Sequence, residues 1–405
     1  MEAMIEGCAG LDVHQETVVA CILVGPLNKK PEKYIKTFNT TTKGLLELND
    51  WLFEHQITDV EMESTGVYWK PVWNILEGHF KLTLANAKHI KNVPGRKTDV
   101  NDAEWIAKLL RCVLIEGSFV PPENIRDLRD LTRYRKNLIQ DRTQERNRIH
   151  KILQDANIKL TTYITDIFGV SGRNILEAIM NGEVLDENAL LTIVKGASRK
   201  KIPQILEAIH HRICPHHRLM LRHHWEHIQF LDKAIDEMER EIDHKLKPYH
   251  KEMELLTSIP GVSHDAAVLI AEMGVQMEVF QSEKHLASWA GLFPGNNESA
   301  GKRKTGKTTK GNKALKTICV KCALATQRQK NRISAHRYRI MRRQGKKKVN
   351  VATAHLILRI AYQILKTGQP YQELGYDYFT KQKKEQNEQN MIKYLSALGY
   401  QIEKK

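Results

Sequence analysis

The sequence predicts an α/β domain at the N-terminus, followed by a helical remainder. Residues 5–115 alternate short apolar runs of strand character with segments of helical spacing. Residues 123–250 are charged and helical in pattern, with few strand signals. Beyond 250 come short helical runs broken by a loop rich in Gly, Lys and Thr. At 405 residues the chain is long enough for two or three domains. The expected divisions are 1–120, α/β; 121–250, helical or coiled-coil; 251–380, a small helical C-terminal domain; and 381–405, a polar tail.

In order along the chain, Gly7 to Val13 and Thr17 to Val24 are two expected strands joined tightly at His14-Gln15-Glu16, and Tyr34 to Phe38 is a third. Leu45 to Phe53 has helical apolar spacing. Val60 to Glu63 is a short strand leading into the turn Ser64-Thr65-Gly66, then a helix over Val67 to Leu76 and a strand over Leu82 to Ala85. A helix over Asp99 to Val113 places Ile106, Leu109, Leu110 and Val113 on one face. Further on, Ile228, Leu231, Ile235, Met238 and Ile242 recur three and four apart. This fits either a short coiled coil or a packed antiparallel pair within one chain. Ile259-Pro260-Gly261-Val262 is a turn between helices, Phe293 to Gly311 a loop, and 312–328 and 351–366 are helices. The tail beyond Lys381 is polar enough to be partly disordered.

Composition narrows the partners. The hydrophobic share is 41%, enough for a real core, while 63 Lys+Arg face 47 Asp+Glu, a formal charge of +16. Residues 301–350 hold 18 Lys or Arg and no Asp or Glu, so this window exceeds the whole net charge. Unopposed positive charge at that density self-repels, which points to a phosphate-bearing partner. Six cysteines do not make a disulfide framework. No signal peptide and no apolar run near the roughly 20 residues of a membrane helix is visible, so a cytoplasmic location away from membranes is expected.

Four acids stand out by position. Asp12 ends the first apolar strand, Glu63 ends a later one, and Asp99 and Asp102 lie three apart at the start of a helix, on one face. Strand-end acids and a helix-borne pair can converge at one edge of a mixed sheet. Oxygen ligands of this kind hold Mg²⁺ or Mn²⁺, and such ions clamp an in-line phosphoryl displacement. Taken singly, a strand-end Asp is usually a turn former and helix-start acids usually complement the dipole; the joint arrangement makes the case.

Three blocks carry a resemblance. Gly10-Leu11-Asp12-Val13-His14, Glu63-Ser64-Thr65-Gly66-Val67-Tyr68-Trp69 and Lys97-Thr98-Asp99-Val100-Asn101-Asp102-Ala103 resemble the signature blocks of the DEDD insertion-sequence transposases, the insertion sequence one-ten family related to the Piv-type DNA invertases. The resemblance implies a ribonuclease H-like, RuvC-like N-terminal domain whose metal-binding, catalytic acids are Asp12, Glu63, Asp99 and Asp102. At the C-terminal end, Ile259-Pro260-Gly261-Val262, Ala290-Gly291-Leu292-Phe293-Pro294 and Lys310-Gly311-Asn312-Lys313 resemble the family's second domain. The family's Ser-Gly falls on Ser299-Ala300, so Ser299 takes the position of the catalytic nucleophile, with Ala300 a departure. The resemblance further implies a DNA transposase or recombinase that cuts and rejoins DNA, guided by a structured RNA and working as a homo-oligomer, a dimer or tetramer.

From the residues alone the case for Ser299 is modest, because a serine hydroxyl needs activation and a serine in a polar loop is commonly only a loop residue. Lys302, Arg303, Lys304, Lys307 and Lys310 around it, and Lys346, Lys347 and Lys348 further on, are the expected phosphate contacts. Gly301 to Thr308 also matches G-x-x-x-x-G-K-[ST], but the preceding Pro294-Gly295-Asn296-Asn297-Glu298-Ser299 cannot be the buried core strand that a phosphate-binding loop requires. Cys319 and Cys322 fit two buried thiols on a helix. The histidines between His210 and His227 fit a nucleic-acid-facing helix better than a zinc site of regular spacing. Two other functions remain open: a metal-dependent nuclease or junction resolvase that uses water, and a non-catalytic nucleic-acid-binding protein.

Overall fold

The computed structural model describes residues 2–63, 66–87, 90, 93, 102–209, 213–295, 297–299 and 302–398; for 297–299, 302–305, 344, 346 and 347 it describes the backbone alone. The chain folds as two compact units, Met1–Val120 and Pro121–Lys405.

The first unit is a five-stranded mixed sheet. Its strands β1 (Gly7–Val13), β2 (Thr17–Val24), β3 (Glu32–Asn39), β4 (Asp59–Glu63) and β5 (Lys81–Ala85) lie in the order β3-β2-β1-β4-β5. β1 pairs antiparallel with β2 through a tight connection at 14–16, and β2 pairs antiparallel with β3. β1 and β4 are parallel, as are β4 and β5, because helical crossovers return the chain to the same end. Helices α1 (Thr42–Glu54) and α2 (Trp69–Leu76) supply those crossovers. Leu45, Leu48, Leu52, Val72, Trp73 and Leu76 bury themselves on one face of the sheet, against Ala9, Leu11, Ala20, Ile22, Val60 and Met62.

Helix α3 (Asp102–Arg111) covers the other face, with Ala103, Ala107 and Leu110 on Cys8, Cys21 and Leu23. Its backbone lies on Gly10: a Cβ there would stand 2.3 Å from the Ala107 nitrogen and 2.4 Å from the Ala103 oxygen. Arg111 ties the far end, donating to the carbonyls of Gly25 (2.9 Å) and Pro26 (3.0 Å). The helix stops at Arg111. Val113, expected on its buried face, instead takes a positive φ of 51° and is 56% exposed.

In the second unit, helices α4 (Glu123–Asp155) and α9 (Pro215–Leu246) run antiparallel. Arg135 meets Glu239, Lys245 meets Asp127 and His224 meets Glu145, so contacts at rising positions on one helix fall at descending positions on the other. Leu138 packs on Leu231 and Ile235, so the apolar seam is used by a partner helix of the same chain. Short helices α5 (Leu160–Tyr163), α6 (Val170–Asn181), α7 (Glu187–Ile193) and α8 (Ile202–Ala208) cap the pair around Phe168, Ile175, Ile179, Leu190 and Ile205.

The rest of the unit holds α10 (His250–Thr257), α11 (Ala266–Met273), α12 (Glu283–Trp289), the strands β6 (Asn297–Ser299) and β7 (Lys302–Thr305), α13 (Lys313–Ala325), α14 (Arg332–Gln344), α15 (Lys346–Thr367) and α16 (Tyr378–Ala397). The hairpin lies inside the stretch expected to be an irregular loop. Gly345, with a φ of +77°, ends α14 before α15 begins. The tail expected to be polar and partly disordered forms α16 through Ala397, with no buried residue. Among the described residues no helix is long and apolar enough to cross a membrane.

Candidate functional site

Three of the four expected acids come to one end of the sheet. Leu11 of β1 is registered with Met62 of β4, so the next positions, Asp12 and Glu63, lie side by side where the strands end. Asp102 is the first residue of α3, and Ala103 beside it stands over Gly10, on the face that carries Asp12. Burial raises the Asp12 carboxyl above its ordinary range; His14 opposes that shift, and the negative charges of Asp102 and Glu63 add to it. His14 Nε2 stands 3.3 Å from Asp12 Oδ2. Asp99 lies outside the described residues. Among the described residues no three His, Cys, Asp or Glu side chains are gathered tightly enough to hold an ion by themselves.

A fifth acid was missed. Glu61 is registered with Gly10 and so shares that face beneath α3. It is 1% exposed, and neither carboxyl oxygen has a hydrogen-bond partner among the described residues. Burial alone pushes it up to about 8, so at neutral pH it is mostly a neutral acid. The available signal was its spacing: an acid two residues before Glu63, on the same side of a strand whose other side is Val60 and Met62.

Ser299 ends β6 and is registered with Lys302 of β7, with only 300 and 301 between them, so it sits at the tip of a hairpin. Lower down, Gly295 N donates to the Lys307 oxygen (2.9 Å) and Thr309 N to the Phe293 oxygen (3.2 Å). Lys302, Arg303 and Lys304 follow on the second strand, and Lys307 and Lys310 are exposed on the return. At the base, Gly291 takes a φ of +70°, and Gly311 packs so closely that a Cβ would lie 2.3 Å from the Gly291 nitrogen. The segment matching a phosphate-binding loop thus contains a strand of an antiparallel hairpin; it is not a strand–loop–helix.

Lys346 and Lys347 open α15, and Lys348 beside them is exposed. Part of the basic window serves the fold itself. Arg337, 3% exposed, donates to Asn350 Oδ1 at 2.6 Å, while Arg332 and Arg339 lie over the rings of Tyr378 and Phe379. In the histidine-rich segment, His217 pairs with Asp155 (2.9 Å), and His224 and His227 both face Glu145, at 2.6 and 3.3 Å. His210 and His211 lie outside the described residues. Cys319 and Cys322 are buried free thiols on α13.

Comparison with known proteins covers both regions. A model of the DEDD transposases of IS110 type matches residues 9–158, the span that holds Asp12, Glu63, Asp99 and Asp102. A model described as the transposase IS116/IS110/IS902 family matches residues 253–339, which hold Ser299. A curated relative named "Putative transposase y4pF/y4sB", from Sinorhizobium fredii (strain NBRC 101917 / NGR234), is 30% identical over 141 residues. That match covers 33% of this chain and 36% of the relative, so the chain spans about a third of the relative's length. Two family models, matched in order and together spanning more than half of the sequence, carry one conclusion: the chain belongs to the IS110-type transposases.

Proposed function

We propose that this protein is a DNA transposase that cuts and rejoins DNA with a divalent-metal site and a serine nucleophile. The observation that carries the reading is the meeting of Asp12, Glu63 and Asp102 at one sheet end. Like charges held together cost energy unless a cation offsets them, and an all-oxygen donor set suits Mg²⁺, with Mn²⁺ as a substitute. Asp12, Glu63, Asp99 and Asp102 would hold the ion. When bound, it would neutralise charge developing on the phosphate oxygens. The mixed strand order, with three antiparallel strands continued by two parallel ones, fits a ribonuclease H-like, RuvC-like domain.

Ser299 Oγ attacks a DNA phosphorus and forms a serine–phosphate ester. The bond to the leaving strand's oxygen breaks, and the serine proton passes by way of solvent to that oxygen. Rejoining reverses the step with another strand's hydroxyl, so no external energy source is needed. Lys302, Arg303, Lys304, Lys307 and Lys310 hold the phosphate and offset its charge. A structured guide RNA and a dimeric or tetrameric assembly complete the reading; they follow from the family alone.

Asp12→Asn keeps the side chain's shape and removes a charge the cation requires. Strand exchange is expected to fall to background while filter-binding affinity for DNA stays within about threefold. Exchange by Asp12→Asn and Asp102→Asn at wild-type rates would remove the acids from the mechanism.

A further inference from the structure

Glu272, on α11, is a fully buried carboxylate with 0% exposure. An unpaired charge at such a depth is costly, so its partners matter. Arg133 of α4 grips it with both arms, Nε to Oε1 at 2.7 Å and Nη2 to Oε2 at 2.8 Å. Arg129, one turn earlier, stands 3.6 Å from Oε2 and donates to the carbonyls of Ala271 (3.1 Å) and Glu272 (2.6 Å). Among the described residues the remaining partner is Asn312, whose Nδ2 donates to Oε2 at 2.7 Å.

Asn312 is where the hairpin ends. Its Oδ1 caps α13, accepting from Ala314 N (3.1 Å) and Leu315 N (3.0 Å), so its amide can face Glu272 in one orientation only. Its own N–H donates to the Trp289 oxygen (3.3 Å), on the opposite side of the loop base. Gly311 beside it packs on Gly291, leaving no room for a Cβ. The loop base is therefore a closed ring, clamped through Asn312 to Glu272 and through Glu272 to the long helix α4.

We propose that Glu272 is a positioning residue: with Asn312 it fixes the hairpin that carries Ser299 relative to α4. The proposal rests on Ser299 as nucleophile for its effect on reaction, but not for its effect on the hairpin. Among the described residues every group hydrogen-bonded to or paired with the Glu272 carboxylate is a donor, so Glu272→Gln forces an amide N–H against a donor. Asn312→Asp sets carboxylate against carboxylate. In Glu272→Gln/Asn312→Asp the roles at this one contact are exchanged: the new amide on α11 donates and the new carboxylate at the loop base accepts, while the conflict with Arg133 Nη2 remains. The cap on α13 and one negative charge beside the arginines are kept. Asn312→Ser is the mild variant; its hydroxyl still caps the helix but is too short to reach Glu272.

Two readouts are taken on the full chain: amide hydrogen exchange of the peptide spanning 294–308, and the rate of Ser299–DNA ester formation at saturating DNA. Each single variant should speed exchange in 294–308 at least tenfold. Each should also slow ester formation on the order of 10²-fold, the cost of misplacing a reacting group by about 1 Å. DNA affinity should stay within about threefold. The double variant should move both readouts back toward wild type by at least about threefold relative to either single variant, short of full recovery because Arg133 Nη2 still faces the new amide. If Glu272→Gln fails to fold, Asn312→Ser and the double variant make the same test. Unchanged exchange in Asn312→Ser, or a double variant no better than the singles, overturns the proposal. Loosening that the double variant partly reverses, in a wild type that forms no ester, upholds the clamp and refutes Ser299 as nucleophile.

Discussion

Replacing Glu61 by Gln should stabilise the N-terminal unit, and the gain should grow with pH. In the folded chain burial raises the Glu61 carboxyl from 4.5 to about 8. Below pH 4.5 the acid is protonated whether the chain is folded or not, so it contributes no pH dependence. Between 4.5 and 8 the unfolded chain releases the proton and the folded chain keeps it, so stability falls as pH rises; above 8 the penalty levels off. At 1.36 kcal/mol per pH unit, this amounts to about 3 kcal/mol at pH 7 and about 4 kcal/mol at pH 8, approaching about 5 kcal/mol above it. Asp59 and Arg111, the charged groups that act with Glu61 on the neighbouring Cys8, remain in place in the variant. The assay is amide hydrogen exchange of peptides covering β1 and β4 in metal-free buffer, from pH 5 to 8.5, corrected for intrinsic exchange rates. Glu61→Gln should match wild type near pH 5 and be increasingly better protected toward pH 8. Parallel pH profiles for the two proteins would show that Glu61 is not a buried neutral acid, and the reasoning would fail.

Gly10→Ala should unseat α3, because the new methyl would lie within 3 Å of the Ala103 and Ala107 backbone. A loss of about 3 kcal/mol is expected from forced overpacking, read as a lower urea midpoint; an unchanged midpoint would mean that the helix does not rest on the strand. DNA binding should weaken by a factor of about 10³ between 50 and 200 mM salt if six or more phosphates are neutralised. Lys346, Lys347 and Lys348 changed together to Gln should flatten that slope, measured by fluorescence anisotropy, and an unaltered slope would place the phosphate contacts elsewhere.

The sheet was legible because its strands alternate or run apolar between short turns, and the ends of β1 and β2 fall where the apolar runs end. Asp12 and Glu63 were legible for the same reason: each is the acid at the end of such a run. The length of α3 was not, because the apolar period continues through Val113 while the chain turns at Cys112 and Val113 to reach the next segment. Glu61 was hidden by its neighbours, since an acid in a short strand is ordinarily solvated and only the helix laid over Gly10 buries it. The hairpin bearing Ser299 has no strand pattern, being Gly-, Lys- and Thr-rich; its strands are held by pairing and by the glycine-packed base. Glu272 is spaced like any helix residue, and its role emerges only where α4, α11 and Asn312 converge. The charge window of 301–350 shows how counting misleads: Arg332, Arg337 and Arg339 are engaged with neighbours inside the fold.

The measurement that tests the central claim most directly is a denaturing gel of end-labelled DNA incubated with wild type and with Ser299→Ala. Ser299→Ala removes one oxygen at a hairpin tip, so folding and DNA affinity should be retained. Wild type should form a protein–DNA adduct that requires a divalent cation, is resistant to boiling in detergent and is destroyed by protease. Ser299→Ala should form no adduct and exchange no strands. An adduct that persists in Ser299→Ala, or strand cleavage by wild type with no adduct at any time point, would contradict the account.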